Sequence, residues 1–200
     1  EVAFDKILSQ GIPFWIGGGL ASPEGLAQAQ ALGAVGIQVG SIFALCEDSG
    51  MEPQSRAQLC RRGYRGELNI RTDVYASPAG FPFKVAQLPK TLSDPAVYEE
   101  RKRVCDLCVL VVPYERPNGT VGFRCPSEPI AKYLRKGGKI EDTIGSQCLC
   151  NGLVSAAGLG NLGELPIFTM GDDVSFLRHL MSDENDYYLA ADALAYLLSK

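Results

Sequence analysis

The sequence is poor in histidine and lacks the long apolar and basic segments that define several protein classes. His179 is the only histidine among 200 residues, so the side chain that most often serves as a general base near neutral pH occurs once. The 19 Lys and Arg residues against 23 Asp and Glu residues give a net charge of −4. No basic cluster is long enough to follow a phosphate backbone, so we expect neither nucleic acid nor an anionic membrane surface as a partner.

Two further absences concern the location of the protein. No apolar run reaches the roughly 20 residues that a membrane-spanning helix needs, and residues 1–10 lack the pattern of a signal peptide. The seven cysteines are an odd number without the spacing of a small disulfide-bonded scaffold. We therefore expect reduced thiols in a cytoplasmic protein. A hydrophobic fraction of 46% supplies enough apolar material for one or two globular domains.

Residues 13–43 have the pattern of two consecutive βα units. An apolar run at residues 14–16 ends in three glycines and predicts a buried parallel strand. A helix is predicted from Pro23 to Gly33, because Ser22 can cap it, proline suits its first position and glycine closes it. A second apolar run at residues 35–39 predicts a neighbouring parallel strand that leads into Gly40 and a further helix. Two glycine turns should therefore lie side by side at the carboxyl ends of parallel strands.

Paired glycine turns of this kind suit an anion. Glycine lets backbone N–H groups come close to a ligand, and the start of a following helix adds partial positive charge. In (β/α)8 barrels a phosphate site is often built from the loops after the seventh and eighth strands. Glycine turns are also common in α/β folds as tight connections and nothing more. Two such turns one βα unit apart favour the phosphate interpretation.

The rest of the sequence predicts helices and loops with few strands. A short strand is expected at residues 68–74, and the Pro- and Gly-rich residues 76–85 predict a loop. The apolar run 107–112 leaves strand and turn open, because Pro113 and an Asn-Gly turn follow it. Helices are expected over residues 1–10, 42–46, 53–62, 95–103, 128–136 (with Ser127 as the cap), 150–159, 173–181 and 187–199. The charged residues of the 53–62 and 95–103 helices are expected on solvated faces.

Five cysteines are the main candidates for metal chemistry. Cys105 and Cys108 form a C-x2-C pair, and Cys125, Cys148 and Cys150 follow; such sets can bind zinc through thiolates. The last two are closer together than in a usual zinc knuckle, and no histidine lies nearby. Small apolar thiols are also among the most buried side chains. We therefore favour buried thiols and assign no metal ligand.

No acid–base residue can be assigned from the sequence. His179 lies beside leucines on a predicted helix, far along the chain from the glycine turns, and a lone histidine in that setting is more often a surface or packing residue. Asp73, Glu47, Asp172 and Asp173 are alternatives, but none has a recognisable partner. The residues alone predict a cofactor cradle and leave the catalytic residue unknown.

Several segments, in order, resemble one flavoenzyme family. The last two βα units of the nitronate monooxygenases, formerly called 2-nitropropane dioxygenases, resemble GGGLASPEGLAQAQALGAVGIQVGSIFALCEDSG. A longer bacterial branch of the family is similar in RTDVYASPAGFPFKV, RVCDLC, GFRCPSEPIAKYLRKGG, CLCNGL and TMGDDV, so the resemblance covers nearly the whole chain. These enzymes are FMN-dependent (β/α)8 barrels. The resemblance implies an α/β fold in which residues 1–50 are the last βα units of the barrel and residues 51–200 a mainly helical, loop-rich extension.

The resemblance also implies the cofactor-binding residues. Gly18 and Gly19 match the glycine pair whose backbone amides bind the FMN phosphate. Gly40 and Ser41 match a second phosphate-binding pair, usually Gly-Thr, and serine keeps the hydroxyl donor. Gln38, just before that turn, is expected to line the flavin site. The family's catalytic histidine belongs to an earlier part of the barrel, and nothing in this sequence matches it.

The function implied is FMN-dependent oxidation of alkyl nitronates by O2, with a small-molecule substrate and with self-association left open. A full barrel takes about 250 residues, so this chain would supply the last quarter and an extension. We expect it to bind FMN poorly and not to turn over nitronates by itself. One alternative is a flavin-dependent enoyl reductase of polyketide or polyunsaturated fatty acid synthesis, which would require a nicotinamide. Another is a non-catalytic fragment or a cysteine-based zinc-binding module.

Overall fold

The structure, a computed structural model, describes residues 2–160, 163–183 and 185–199. These residues divide into two compact units. The first unit comprises the chain up to Leu68 together with the residues from Gly171 onward, and the second unit is Asn69–Met170. The division expected at residue 50 therefore falls inside the first unit. Among the described residues, no helix is long and apolar enough to cross a bilayer.

The chain forms mostly short helices and short strands. In chain order they are α1 (Phe4–Leu8), β1 (Trp15–Gly17), α2 (Pro23–Ala31), β2 (Gly36–Gln38), α3 (Ser41–Ala44), α4 (Pro53–Arg65), β3 (Ile70–Asp73), β4 (Phe83–Ala86), α5 (Pro95–Tyr98), β5 (Val112–Glu115), β6 (Val121–Arg124), α6 (Ile130–Arg135), α7 (Leu149–Ala156), α8 (Leu177–Leu180) and α9 (Ala190–Leu197).

The first unit contains the predicted β1–α2–β2 arrangement. The two strands pair in parallel, with Gly17 opposite Gln38 at their carboxyl ends. At the start of α2 the Ser22 Oγ accepts a hydrogen bond from the Gly25 N–H at 3.0 Å, which satisfies one of the free N–H groups of the first turn. Gly33, after the end of the helix, has a φ of +86°, a conformation that glycine adopts without strain. The parallel pairing and the helix predicted between the strands are confirmed.

The expectation that the first strand is buried is wrong. Trp15 is 61% exposed and Ile16 is half-buried. In the described chain this sheet consists of β1 and β2 alone, so each strand has an outer edge without a neighbouring strand. Continuous burial of a parallel strand requires neighbours and a helix on each face. The apolar pattern therefore predicted the strand correctly but its burial incorrectly.

The core of the first unit lies among its helices. Ile42 on α3, Leu59 on α4 and Leu177 on α8 are fully buried. Tyr188 is buried with them, and its hydroxyl donates to the Ile42 carbonyl at 2.7 Å. The Phe176 ring meets the Tyr188 ring edge-on, with centroids 6.5 Å apart. The segment before α9 is thereby fixed against the turn that follows β2.

Several helix predictions for the first unit need correction. The helix expected over residues 1–10 is limited to α1, and Glu1 lies outside the described residues. Arg56, expected on a solvated face, is buried and forms an ion pair with Glu47. A buried guanidinium requires such a partner. The helix expected over residues 173–181 is only the four-residue α8, and a turn at residues 175–176 precedes it.

The second unit contains two antiparallel hairpins. β3 pairs with β4, and β5 pairs with β6. β4 begins within residues 76–85, which were predicted as a loop, so the loop prediction is wrong for residues 83–85. Pro113 lies within β5; a two-stranded ladder leaves one side of each strand unpaired, where the missing N–H of proline costs nothing. Apolar residues of β4, α7 and the loops form the core, namely Ala76, Val85, Leu92, Leu149 and Ile167.

Polar residues of the second unit also differ from expectation. The helix expected over residues 95–103 ends at Tyr98, and the Arg101 side chain beyond it is only 2% exposed. Arg103 is half-buried and donates to the Pro126 and Thr143 carbonyls. Ser127 does not cap α6. Its fully buried hydroxyl instead contacts distant backbone and side-chain oxygens of residues 146 and 147.

Candidate functional site

The two glycine turns lie side by side in the first unit. Gly17 and Gln38 face each other at the carboxyl ends of β1 and β2, so the turns that begin at Gly18 and at Gly40 start from adjacent positions. Gly18 and Gly19 have φ values of +97° and +67°. A Cβ atom added at Gly18, Gly19 or Gly40 would meet nothing within 4 Å. The space in front of these backbones is therefore open to a ligand.

The first turn is held close to the helix that follows it. A Cβ atom at Gly25 would lie 2.7 Å from the Leu20 carbonyl oxygen and 2.9 Å from its Cα, so only glycine allows this approach of α2 to the turn. Glu24, in the first turn of α2, is exposed. Backbone hydrogen bonding and the Ser22 hydroxyl lower the pKa of Glu24. A carboxylate thus already occupies the positive end of this helix.

The second turn is closed by a residue that the sequence did not indicate. The Gly171 N–H donates to the Ser41 Oγ at 2.8 Å, although 130 positions separate the two residues. A Cβ at Gly171 would lie 3.3 Å from the same oxygen. Since the hydroxyl accepts from Gly171, its own proton can point elsewhere. The only signal was the segment TMGDDV, which belonged to the family resemblance without an assigned role.

Gln38 is exposed at the end of β2. A Cβ on Gly17 would meet the Gln38 carbonyl oxygen at 3.6 Å and its Oε1 at 3.9 Å. The amide group of this side chain therefore lies beside the end of β1, next to the first glycine turn. An amide there offers both a donor and an acceptor to a ligand that spans the two strand ends.

The electrostatics of the turns rest on neutral groups. No Lys or Arg occurs between Lys6 and Arg56 in the sequence. An anion at the turns would therefore be bound by backbone N–H groups and the Ser41 hydroxyl. Hydrogen bonds from neutral donors to a charged group contribute about 1.5–3 kcal/mol each. The turns therefore offer an anion no positive counter-charge from their own stretch of chain, and the Glu24 carboxylate in the first turn of α2 is a like charge.

Each side chain considered as an acid–base group contacts another residue. His179 is exposed, and its ring stacks on Tyr196 with centroids 5.0 Å apart. Glu47 is paired with Arg56. Asp173 accepts from the Ser175 N–H, Asp73 accepts from Tyr75 and Gln147, and Asp172 also has a partner. No catalytic residue can be assigned from these contacts.

Cys105, Cys108, Cys125, Cys148 and Cys150 belong to the second unit. Cys125 and Cys148 are buried, Cys105 and Cys150 are half-buried, and Cys108 is exposed. Burial raises the pKa of Cys148 to about 11. Within residues 2–160, 163–183 and 185–199, no three His, Cys, Asp or Glu side chains are grouped so that they could hold a metal ion.

Comparison with known proteins identifies no relative of this chain. No protein-family model, curated protein or solved structure matches it. The similarity to nitronate monooxygenases therefore rests on the sequence motifs alone.

Proposed function

We propose that this chain is the carboxyl-terminal part of an FMN-dependent oxidoreductase of the nitronate monooxygenase type. In this proposal the two glycine turns bind the FMN phosphate at the end of a (β/α)8 barrel. The supporting observation is the parallel pairing of β1 with β2, which sets Gly18 and Gly40 at adjacent strand ends. The order of these motifs is the order in the family that the sequence resembles.

The residues of the turns fit a phosphate group. Gly18 and Gly19 have open space in front of their backbones, so a phosphate oxygen can approach their N–H groups. Ser41 accepts from Gly171 and can donate its hydroxyl proton to the phosphate. We expect Gln38, whose amide lies beside the end of β1, to contact the rest of the cofactor. When bound, FMN supplies the electron-accepting ring, while these residues hold and orient it.

The direct test is a titration of the full chain followed by backbone amide NMR. Three probes are compared: FMN, riboflavin, which lacks the phosphate, and inorganic phosphate. We expect FMN and phosphate to shift the amide signals of Gly18, Gly19, Gly40 and Ser41, and riboflavin to leave them unchanged. Equal shifts with riboflavin, or shifts only elsewhere, would show that these turns are not a phosphate site.

A matched pair of variants separates binding from backbone strain. Gly19 and Gly11 have φ values of +67° and +65°, and a Cβ at either meets nothing within 4 Å. Gly19→Ala and Gly11→Ala should therefore carry the same left-handed strain, roughly 1–2 kcal/mol each. Only Gly19→Ala should weaken FMN binding. If both variants weaken it equally, loss of folded protein explains the effect.

A third variant avoids the strain altogether. Gly40 has an ordinary φ of −114°, and its Cβ position is open, so Gly40→Ala should fold normally. Its methyl group would project into the space proposed for the phosphate and should weaken FMN binding at least tenfold. Oxygen uptake with an alkyl nitronate should stay at background for every form of the chain, because a full barrel takes about 250 residues and this chain would supply only its last quarter.

A further inference from the structure

A cleft in the second unit lies between the β5–β6 hairpin and the carboxyl end of α6. Its volume is about 770 Å³, within the range of roughly 300–1,000 Å³ that is usual for small-molecule sites. Tyr114, Arg116 and Arg124 line it from the hairpin, and Arg135 and Lys136 line it from the end of the helix. Basic side chains therefore gather at this cleft, although the whole chain has a net charge of −4.

A glycine in the hairpin makes room for two of these side chains. Tyr114 pairs with Gly122, and Arg124 follows two residues later on the same face of β6. A Cβ atom at Gly122 would lie 2.6 Å from the Tyr114 ring and 2.8 Å from Arg116 Nε. Because glycine has no side chain, both groups can lie across it. The hairpin face at the cleft is thus shaped by this one residue.

Arg124 is held in place by contacts that leave its charge uncompensated. Its Nη1 donates to the Lys136 carbonyl at 3.1 Å. Its guanidinium carbon lies 4.9 Å from the centroid of the Tyr114 ring and 5.5 Å from that of the Tyr133 ring. A carbonyl and two ring faces attract a cation without neutralising it. Since the side chain is already ordered, it loses little rotamer freedom when a ligand binds.

The arginines of the cleft lack carboxylate partners. In the part of the chain that the structure describes, Arg116, Arg124 and Arg135 form no ion pair. Lys136 differs from them, because its Nζ donates to both carboxylate oxygens of Glu128 at 2.9 and 2.8 Å. Three guanidinium groups in one cleft are therefore available to an anion.

We propose that this cleft binds a small molecule that carries two or more phosphate or carboxylate groups. The planar guanidinium fork matches either group with paired hydrogen bonds. The three unpaired arginines share the cleft with one acidic residue, Glu115, so the excess of positive charge favours a multiply charged ligand. All of these residues belong to the second unit, and the inference is independent of the function proposed for the glycine turns.

Titration of the full chain with inorganic pyrophosphate, citrate and acetate tests the proposal. We expect pyrophosphate or citrate to bind and to shift the backbone amide signals of Arg116, Arg124 and residues 135–137, and acetate to bind much more weakly. The stronger of the two polyanions shows whether phosphate or carboxylate is preferred. Shifts at the glycine turns would report on that other site alone. Acetate binding as tight as the polyanions, or no shift at the cleft amides, would overturn the proposal.

Variants that remove one charge show whether the arginines act. Arg116→Gln and Arg135→Gln change exposed side chains, so both variants should fold like the wild type. Each should weaken binding of the preferred polyanion roughly fivefold. Arg71→Gln, at an exposed arginine of β3 in the same unit, is the matched control and should leave binding unchanged. Equal weakening by all three variants would show general attraction by surface charge and would overturn the proposal.

A variant that keeps every charge tests the shape of the site. The methyl group of Gly122→Ala would force the Tyr114 ring and the Arg116 side chain to move, and the ends of side chains can yield without unfolding the hairpin. We expect a normal circular dichroism spectrum and binding weakened at least as much as in Arg116→Gln. Unchanged affinity in folded Gly122→Ala would contradict the proposed site. If this variant does not fold, the arginine variants and their control still decide the outcome.

Discussion

The two units differ in how many polar side chains they bury. Among the described residues, the buried Ser, Thr, Asn, Gln, Glu and Arg side chains of the first unit are limited to Arg56, whereas Ser127 and Glu164 are among those of the second unit. Contacts between residues distant in sequence occur in both units, since Gly171 donates to Ser41 across 130 positions in the first.

In the second unit, polar side chains far apart in sequence meet in the interior. Arg101 donates to the Ser146 carbonyl at 2.8 Å, and Ser127 contacts Gln147. The second unit therefore depends more on buried polar pairs.

One pair of charges in each unit makes the difference quantitative. Arg56 and Glu47 in the first unit have side chains that are 7% and 47% exposed. Arg101 and Glu164 in the second unit are both 2% exposed, with their nearest charged atoms 3.9 Å apart. Burial raises the pKa of Glu164, and Arg101 opposes that shift. A buried charge that loses its partner is costly, whereas a half-exposed one recovers water.

Arg101→Ala should be the most damaging of these changes. It removes the bond to Ser146, the guanidinium 4.7 Å above the Tyr98 ring and the ion pair with Glu164. Breaking a buried pair in this way costs roughly 3–5 kcal/mol. Urea unfolding followed by circular dichroism measures the loss, and hydrogen exchange should localise it to Asn69–Met170.

A double variant that also changes the partner of Arg101 provides the control. The double variant Arg101→Ala with Glu164→Gln should recover part of the loss, because it removes the uncompensated buried carboxylate. Arg56→Ala in the first unit should cost less than Arg101→Ala, since Glu47 can return to water. If Arg56→Ala proved the more damaging of the two, the contrast between the units would be wrong.

Gly25→Ala should have the next largest effect, in the first unit. Its methyl group would lie 2.7–2.9 Å from the Leu20 backbone, which cannot yield as a flexible side chain can. Overpacking of this kind costs about 1–3 kcal/mol, against a gain of at most about 1 kcal/mol in helix propensity. Thermal unfolding should show the net loss, and Gln28→Ala, on the exposed face of the same helix, should not lower the melting temperature.

The sequence predicted those parts of the fold that local rules determine. β1, α2 and β2 were predicted within a residue or two, because apolar runs, a serine cap and terminal glycines act within each element. The adjacency of the two glycine turns followed from the parallel pairing. The prediction that the first strand is buried was wrong at Trp15, which is exposed. Burial depends on neighbouring elements, and the periodicity of the sequence does not specify them.

The errors fall where distant residues decide. Arg101 and Arg56 were expected on solvated faces, since charge runs usually lie there, and each is buried with a partner. Ser127 precedes an apolar helix as a cap would, yet its hydroxyl bonds to residues about twenty positions away. Gly171 contacts Ser41 across 130 positions, and no pattern in a single sequence encodes such a pair. Local chemistry therefore located the candidate site but not the residue that completes it.

Glu52→Ala should have the smallest effect and a pH dependence of known sign. Glu52 caps α4, and its carboxylate accepts from the Gln54 and Ser55 N–H groups at 3.0 and 2.8 Å. Loss of such a cap costs about 0.5–2 kcal/mol. The Ser55 hydroxyl, more than the backbone N–H groups, lowers the pKa of Glu52 below 4.5. The stabilisation by this carboxylate is therefore present above pH 4.5 and is lost as the pH falls through the lowered pKa. The wild type and the variant should therefore differ in unfolding free energy at pH 7 and converge as the pH falls below the lowered pKa of Glu52. A difference that stayed constant over the whole acid range in which the protein remains folded would mean that the charged carboxylate is not what stabilises the helix. Asp94→Ala provides the comparison in the second unit, because Asp94 caps the much shorter α5 through the same kind of bond. Its effect should follow the same pH trend with a smaller amplitude, since fewer residues depend on that cap.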